Sequence, residues 1–301
     1  MHPDINKVIE QFYTKDGGLE CGFINEDYES EGTPFSRYHG INIDGLISPE
    51  NHVIWIDTNS PEIAEGTSRT NRGEVDAIEW VLSQLATSDS FEAYNNKFSS
   101  EEDKEIGLIT FYGAQLRLLR QLQGKYSGKL TLKPSSVDRF QGMERNIVIV
   151  SLVRSNCIAE NEKQAPDYRV YKELGFRKQT DFGFAKSPNR LNVALSRAKR
   201  LLIIVGNSAH YSSYKNKEGE AIYKNVFESI KTNPNGKIIH WEHKLMKKRP
   251  RPISKNRSAN LNTRDINPET DGHLRVIETW LRPNANRTNP KIAVLELSTK
   301  A

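Results

Sequence analysis

Two uninterrupted apolar runs dominate the hydropathy pattern, Ile147 to Val150 with Leu152, and Leu201 to Val205. Runs of this kind predict central strands of a parallel sheet with both faces covered. The second run follows, almost without a loop, a segment in which Leu191, Leu195 and Ala198 recur at helical spacing after Pro188, a residue suited to a first helical turn. The whole stretch, 188–207, reads PNRLNVALSRAKRLLIIVGN and predicts a helix feeding directly into a buried strand. Arg190 and Arg197 stand seven positions apart on a second face of that helix, with Arg200 nearby. All three guanidinium groups are expected to point away from the core.

Further elements follow the same logic. VIWID at 53–57 and residues 106–110 predict strands, 130–132 a short one, and 237–241 a last one. Helices are predicted near the start, with Ile5, Val8, Ile9 and Phe12 on one face, and again over 68–85, 112–122 and 221–230. Asn71 followed by Glu74 reads as a capping box. The glycine-rich residues 17–45 read as irregular connection, 88–105 as a long surface loop, and Ser136, Asp138, Gln141 and Gly142 as a polar loop. Alternating strands and amphipathic helices predict an α/β domain with a parallel sheet flanked by helices.

Composition narrows the partners. A chain of 301 residues with 36% hydrophobic residues supports a real core, and a net charge of +5 suits a polyanionic partner without demanding one. Cys21 and Cys157 lack metal-ligand spacing and read as unpaired thiols of a reduced compartment. No apolar run approaches the roughly 20 residues that span a bilayer, so a cytoplasmic protein with no membrane contact is expected. Residues 244–257 carry seven basic residues and no acids, which reads as a linker able to touch phosphate and is also compatible with a nuclear address. His240 and His243 share an H-x-x-H spacing but predict no metal site. The segment 155–186 is polar and carries Tyr168, Tyr171, Phe176, Phe182 and Phe184, which either stack on bases or pack the loop, packing being favoured.

Residues 136–156, SVDRFQGMERNIVIVSLVRSN, together with 188–207, resemble the last two motifs of superfamily 1 helicases, in the branch of the nonsense-mediated-decay helicases. The resemblance is nearly letter for letter over some forty positions, with ITFYGAQ at 109–115 resembling a third motif, Phe111 standing where a proline is usual. It implies a RecA-like, P-loop NTPase-type domain over 46–243, preceded by an inter-domain helix and connection at 1–45. A basic linker at 244–270 and a small polar C-terminal extension at 271–301 follow. It implies that Arg197 is an arginine finger for ATP hydrolysis, with Gly142 and Glu144 sensing nucleotide. Thr110, Tyr112, Ser136 and Gln141 would face single-stranded DNA or RNA, Gln141 coupling the two sites.

The opening MHP resembles the end of a family element lying between two RecA-like domains, which implies that this chain is a second half. No G-x-x-x-x-G-K-[ST] occurs, because Gly124, Gly128 and Gly236 lack the upstream glycine and following hydroxyl. ATP and Mg²⁺ are therefore expected to be bound mainly by an N-terminal RecA-like domain, and this chain alone to be inactive. The rival expectation is a nucleic-acid-binding or regulatory module that keeps the motor fold without turnover.

Overall fold

The apolar runs do assemble side by side. In the computed structural model, which describes residues 1–22, 37–155, 182–215 and 219–241, six strands form one parallel sheet. They are β1 (Val53–Thr58), β4 (Ile106–Thr110), β5 (Leu132–Ser136), β6 (Arg145–Ser151), β7 (Ala198–Gly206) and β8 (Gly236–Trp241). Their order is β5-β4-β6-β7-β1-β8. The two most apolar strands, β6 and β7, lie at its centre, paired Ile147 with Leu201 through Ser151 with Val205. Burial of each such side chain contributes about 1.5–3 kcal/mol, so these two-sided runs have no comparable position at an edge. A small antiparallel hairpin, β2 (Ile63–Glu65) and β3 (Ser68–Thr70), was not foreseen from the sequence.

Alternate residues of each strand feed two cores. On one face, Trp55, Ile109, Val148, Val150, Leu202 and Ile204 pack with side chains of α1 (Pro3–Ile9), α6 (Val137–Phe140), α7 (Pro188–Leu195), α8 (Ser208–Ser212) and α9 (Ile222–Thr232). On the other, Ile54, Leu108, Ile149 and Ile203 pack with α2 (Arg72–Leu85), α3 (Asp89–Asn95) and α5 (Gly113–Lys125). This is the RecA-like α/β arrangement, and every described residue falls in one compact unit.

Several expectations change. Residues 88–105 are not a loop: Ser88 and Ser100 cap α3 and the short α4 (Glu101–Lys104), and Phe91 and Tyr94 anchor α3 in the core. Short polar segments with serine caps and acidic first turns make helices that periodicity alone does not reveal. Ser136 ends a strand rather than opening a loop, and residues 137–140 coil into α6 because Val137 and Phe140 are buried. Helix α7 stops at Leu195, so Ala198 begins β7 and Arg197 stands in the turn between them. Arg200 does not point freely outward. It is half-buried on β7, donating to Asn146 Oδ1 (3.2 Å) and the Tyr38 carbonyl (2.9 Å), over the Phe98 ring. Cys157, His243, Tyr168, Tyr171, Phe176, the basic run and the C-terminal extension lie outside the described residues.

Candidate functional site

The parallel sheet has two edges, and the predicted residues divide between them. At the amino ends of β6 and β7, the Arg145 N–H donates to the Arg197 carbonyl (3.0 Å), and Arg145 pairs in register with Ala198. This capture ends α7 and places Arg197 beside the segment bearing Gly142 and Glu144. The Arg197 guanidinium is held locally: Nε donates to the Val193 carbonyl (3.1 Å), and Nη2 to Ser196 Oγ (2.9 Å). No carboxylate pairs with it among the described residues. Other arginines differ. Arg145 bonds Glu105 (2.7 Å) and Glu102 (2.8 Å), and Arg190 grips Asp138 with two bonds (2.9 and 3.2 Å). Arg197 is thus a half-buried, pre-positioned cation whose charge no described side chain neutralises.

Gly142 is exposed and takes φ of 84°, a left-handed turn that suits glycine, and Glu144 is exposed two residues later. Both line a cleft of about 350 Å³ shared with Glu102, Asp103 and Lys199. Its lining has more carboxylates than cations, which favours hydroxyl donors over phosphate. Charge complementarity to a phosphate resides next door, in Arg197.

The carboxyl edge carries the other group. Thr110, Ser136 and Ser151 are level with one another across β4, β5 and β6. The Ser136 hydroxyl is half-buried and takes no hydrogen bond among the described residues. Thr110 is fully buried with its hydroxyl unpartnered among the described residues, and Tyr112 is buried with its hydroxyl donating to the Phe182 carbonyl (3.1 Å) and accepting from Arg154 Nη1 (3.3 Å). Neither therefore offers a group at the surface in this conformation. Gln141 is exposed at the end of α6. Residues 137–144 join the two edges by crossing one face of the sheet, with Val137 and Phe140 in its core.

Beneath the carboxyl edge lies a polar network that the sequence reading missed. Arg154 and Glu62 are both almost wholly buried and bonded at 2.8 Å, and the Ser155 N–H adds a second bond to the same carboxylate oxygen (2.7 Å). Glu74, fully buried, faces the Val153 N–H (2.9 Å) and the Ser151 hydroxyl (2.6 Å). No cation pairs with it among the described residues, and burial pushes its carboxyl up to about 8. Only half of the predicted capping box forms: Asn71 Oδ1 accepts from the Glu74 N–H (3.1 Å), but the Asn71 N–H goes to Gln115 Oε1 (2.9 Å). Val153 has φ of 74°, a strained conformation for a β-branched residue, and the Glu74 carboxyl on its N–H helps to hold it there. The one available signal for this network was the polar VRS directly after an apolar strand.

A family model described as an AAA domain matches residues 1–209. Among similar proteins are the "Regulator of nonsense transcripts 1 homolog" of Drosophila melanogaster, 30% identical over 69% of this chain and 14% of that protein, and the "Regulator of nonsense transcripts 1" of Caenorhabditis elegans, 34% identical over 69% and 16%. The "DNA polymerase alpha-associated DNA helicase A" of Saccharomyces cerevisiae is 31% identical over 52% of this chain and 19% of its own length. The chain thus spans less than a fifth of each of these relatives. Since the family model covers more than half of the chain and the fold is RecA-like, the chain belongs to this AAA domain family, among the superfamily 1 helicases of the nonsense-mediated-decay branch.

Proposed function

We propose that this domain is the second motor half of an ATP-dependent superfamily 1 helicase, lending Arg197 to a nucleotide held by a preceding RecA-like domain. The observation that carries the reading is the Arg197 guanidinium itself, braced by Val193 and Ser196 and left without a carboxylate. A cation kept half-buried and unneutralised among the described residues calls for an anion from outside them. The residues present fit one half of a nucleotide site. Among the described residues no group of three or more His, Cys, Asp or Glu is placed to hold a metal ion, so Mg²⁺ and the phosphates are assigned mainly to the partner domain.

ATP, when bound, supplies the phosphoryl group whose transfer to water drives the cycle. Arg197 stabilises charge on the transferring oxygens, an effect worth on the order of 10³ to 10⁵ in rate for such arginines. Glu144 accepts from a sugar hydroxyl in the acidic cleft. Ser136 donates to a backbone phosphate of a single strand, DNA or RNA, at the opposite edge. Gln141 sits on the crossover that links the edges, so closure on nucleotide and grip on the strand are coupled through residues 137–144. The test is ATP hydrolysis and displacement of a tailed duplex by protein carrying both halves. Stimulation by single strand is expected, together with loss of hydrolysis in Arg197→Ala at nearly unchanged strand affinity. Equal hydrolysis in variant and parent overturns the reading.

A further inference from the structure

The aromatic residues before α7 have opposite fates. Phe182 is buried, stacked on His210 (4.5 Å between ring centres) and packed on Tyr211 and Tyr214. Phe184, two residues on, is the one large apolar side chain exposed among the described residues, at 53%. It does not hang from a loose loop. The Tyr112 hydroxyl bonds the Phe182 carbonyl, Ala185 is buried with its carbonyl accepting from Tyr223, and the residues between form a single 3₁₀ turn, Gly183–Lys186. Gly183 takes φ of 54°, and a side chain there would meet Arg154 Nη1 at 3.1 Å and the Tyr112 hydroxyl at 3.2 Å. The turn is therefore pinned on both sides of an exposed ring.

The surroundings of that ring decide what it takes. Its edge rests on Tyr112 (5.9 Å, interplanar angle 62°), at the end of β4. The Arg190 guanidinium lies over it at 5.3 Å and reaches on to Asp138, two residues past Ser136. A docked protein would need an apolar patch of several hundred Å², whereas Phe184 is the one exposed large apolar side chain among the described residues. A planar, polar-edged group of similar size suits it better, and bases stack on such rings whatever their sequence. We infer that Phe184 is a stacking platform for one nucleobase of a single strand whose backbone passes Ser136. This rests on the nucleic-acid part of the proposed function and adds to it a named base subsite. Phosphate contact at Ser136 and stacking at Phe184 together fix where along the strand the domain grips.

The experiment titrates the full 301-residue chain into labelled oligo(dT) or oligo(U), and into the same oligomers made abasic. Phe184→Ala should weaken binding to the intact oligomer roughly tenfold or more, while leaving the thermal melt unchanged because the ring is exposed. Phe184→Trp should bind as the parent does, with its added indole emission quenched by the strand. On abasic oligomers, parent and Phe184→Ala should bind alike. Equal binding of parent and Phe184→Ala to the intact strand overturns the stacking role alone. So does a parent dimer that Phe184→Ala splits at unchanged strand affinity, since the ring would then serve a protein contact. A parent that binds neither oligomer even at low salt removes the nucleic-acid reading as well.

Discussion

The Ser196 hydroxyl accepts from the Arg197 guanidinium at 2.9 Å, so the residue preceding the candidate finger also steers it. In protein carrying both halves, Ser196→Ala should lower kcat about tenfold with KM for ATP nearly unchanged, and Ser196→Thr should restore it. A role in packing alone would instead lower Tm in Ser196→Ala without touching kcat. Arg197→Lys should be as inactive as Arg197→Ala, because an ammonium lacks the planar fork.

Ser136 carries a half-buried hydroxyl at the carboxyl edge with no hydrogen-bond partner among the described residues. Ser136→Ala should weaken single-strand affinity several-fold and leave nucleotide affinity alone, as expected for one lost neutral hydrogen bond. Anisotropy titrations at two salt concentrations check this. Unchanged affinity at both would remove Ser136 from the interface.

Glu74 gives stability an alkaline slope. Its carboxyl is raised to about 8 in the fold, against 4.5 in the unfolded chain. The folded state therefore holds a proton that the unfolded state releases, and stability declines as pH rises through the 4.5 to 8 interval. Above about pH 7.5, where the histidines of the unfolded chain are nearly all neutral, this decline should be visible in urea titrations. Glu74→Gln should flatten it at little cost at pH 7. Glu74→Ala, which strips partners from the Val153 N–H and the Ser151 hydroxyl, should cost about 2–4 kcal/mol. A slope that persists in Glu74→Gln would place its origin elsewhere.

Three buried imidazoles set the acid side. His2 stacks on His52 at 3.3 Å between ring centres, and His39 meets His52 edge-on at 4.6 Å. Burial and repulsion from the neighbouring imidazoles lower His2 to about 2 and His39 to about 3, and burial lowers His52. The unfolded chain binds protons below pH 6.5 that the folded chain refuses. Stability should thus fall with acid, by up to about 1.4 kcal/mol per pH unit for each neutral histidine. Thermal melts between pH 7 and 4.5 test this, and His39→Gln should reduce the steepness. An unaltered acid profile in that variant would remove His39 from the account.

The central strands, the parallel sheet and the helix before β7 were all legible, because two-sided apolar runs and 3.6-residue spacing survive in any context. Less legible were features decided by contacts distant in sequence. Arg197 was expected on a helix, but pairing with Arg145, fifty-two positions away in the chain, unwinds that end into a strand. Glu74 looks like a cap because Asn71 precedes it, yet its carboxyl answers to Ser151 at the end of β6 and to Val153 just beyond it. The buried pair of Glu62 and Arg154 left only one local trace, the Arg154-Ser155 pair directly after an apolar strand, and nothing around Glu62 predicts that it is buried. Phe182 and Phe184 read alike in sequence, and only the turn between them separates a packed ring from an exposed one.

The crossover of residues 137–144 spans the sheet as one helical turn and one tight turn. Ser136 is level with Thr110, whereas Arg145 lies two residues before Ile147, which is level with Ile106. The connection must descend about six strand positions, roughly 20 Å, and also step past β4. Four of its eight residues are helical and advance only about 1.5 Å each, and the next are turned, with Gly142 at φ of 84° and the Met143 N–H on the Phe140 carbonyl (3.1 Å). Because helix and turn are held by their own hydrogen bonds, a tug at one end reaches the other, and lengthening the crossover by even one or two glycines should uncouple the two ends while each still binds its own ligand.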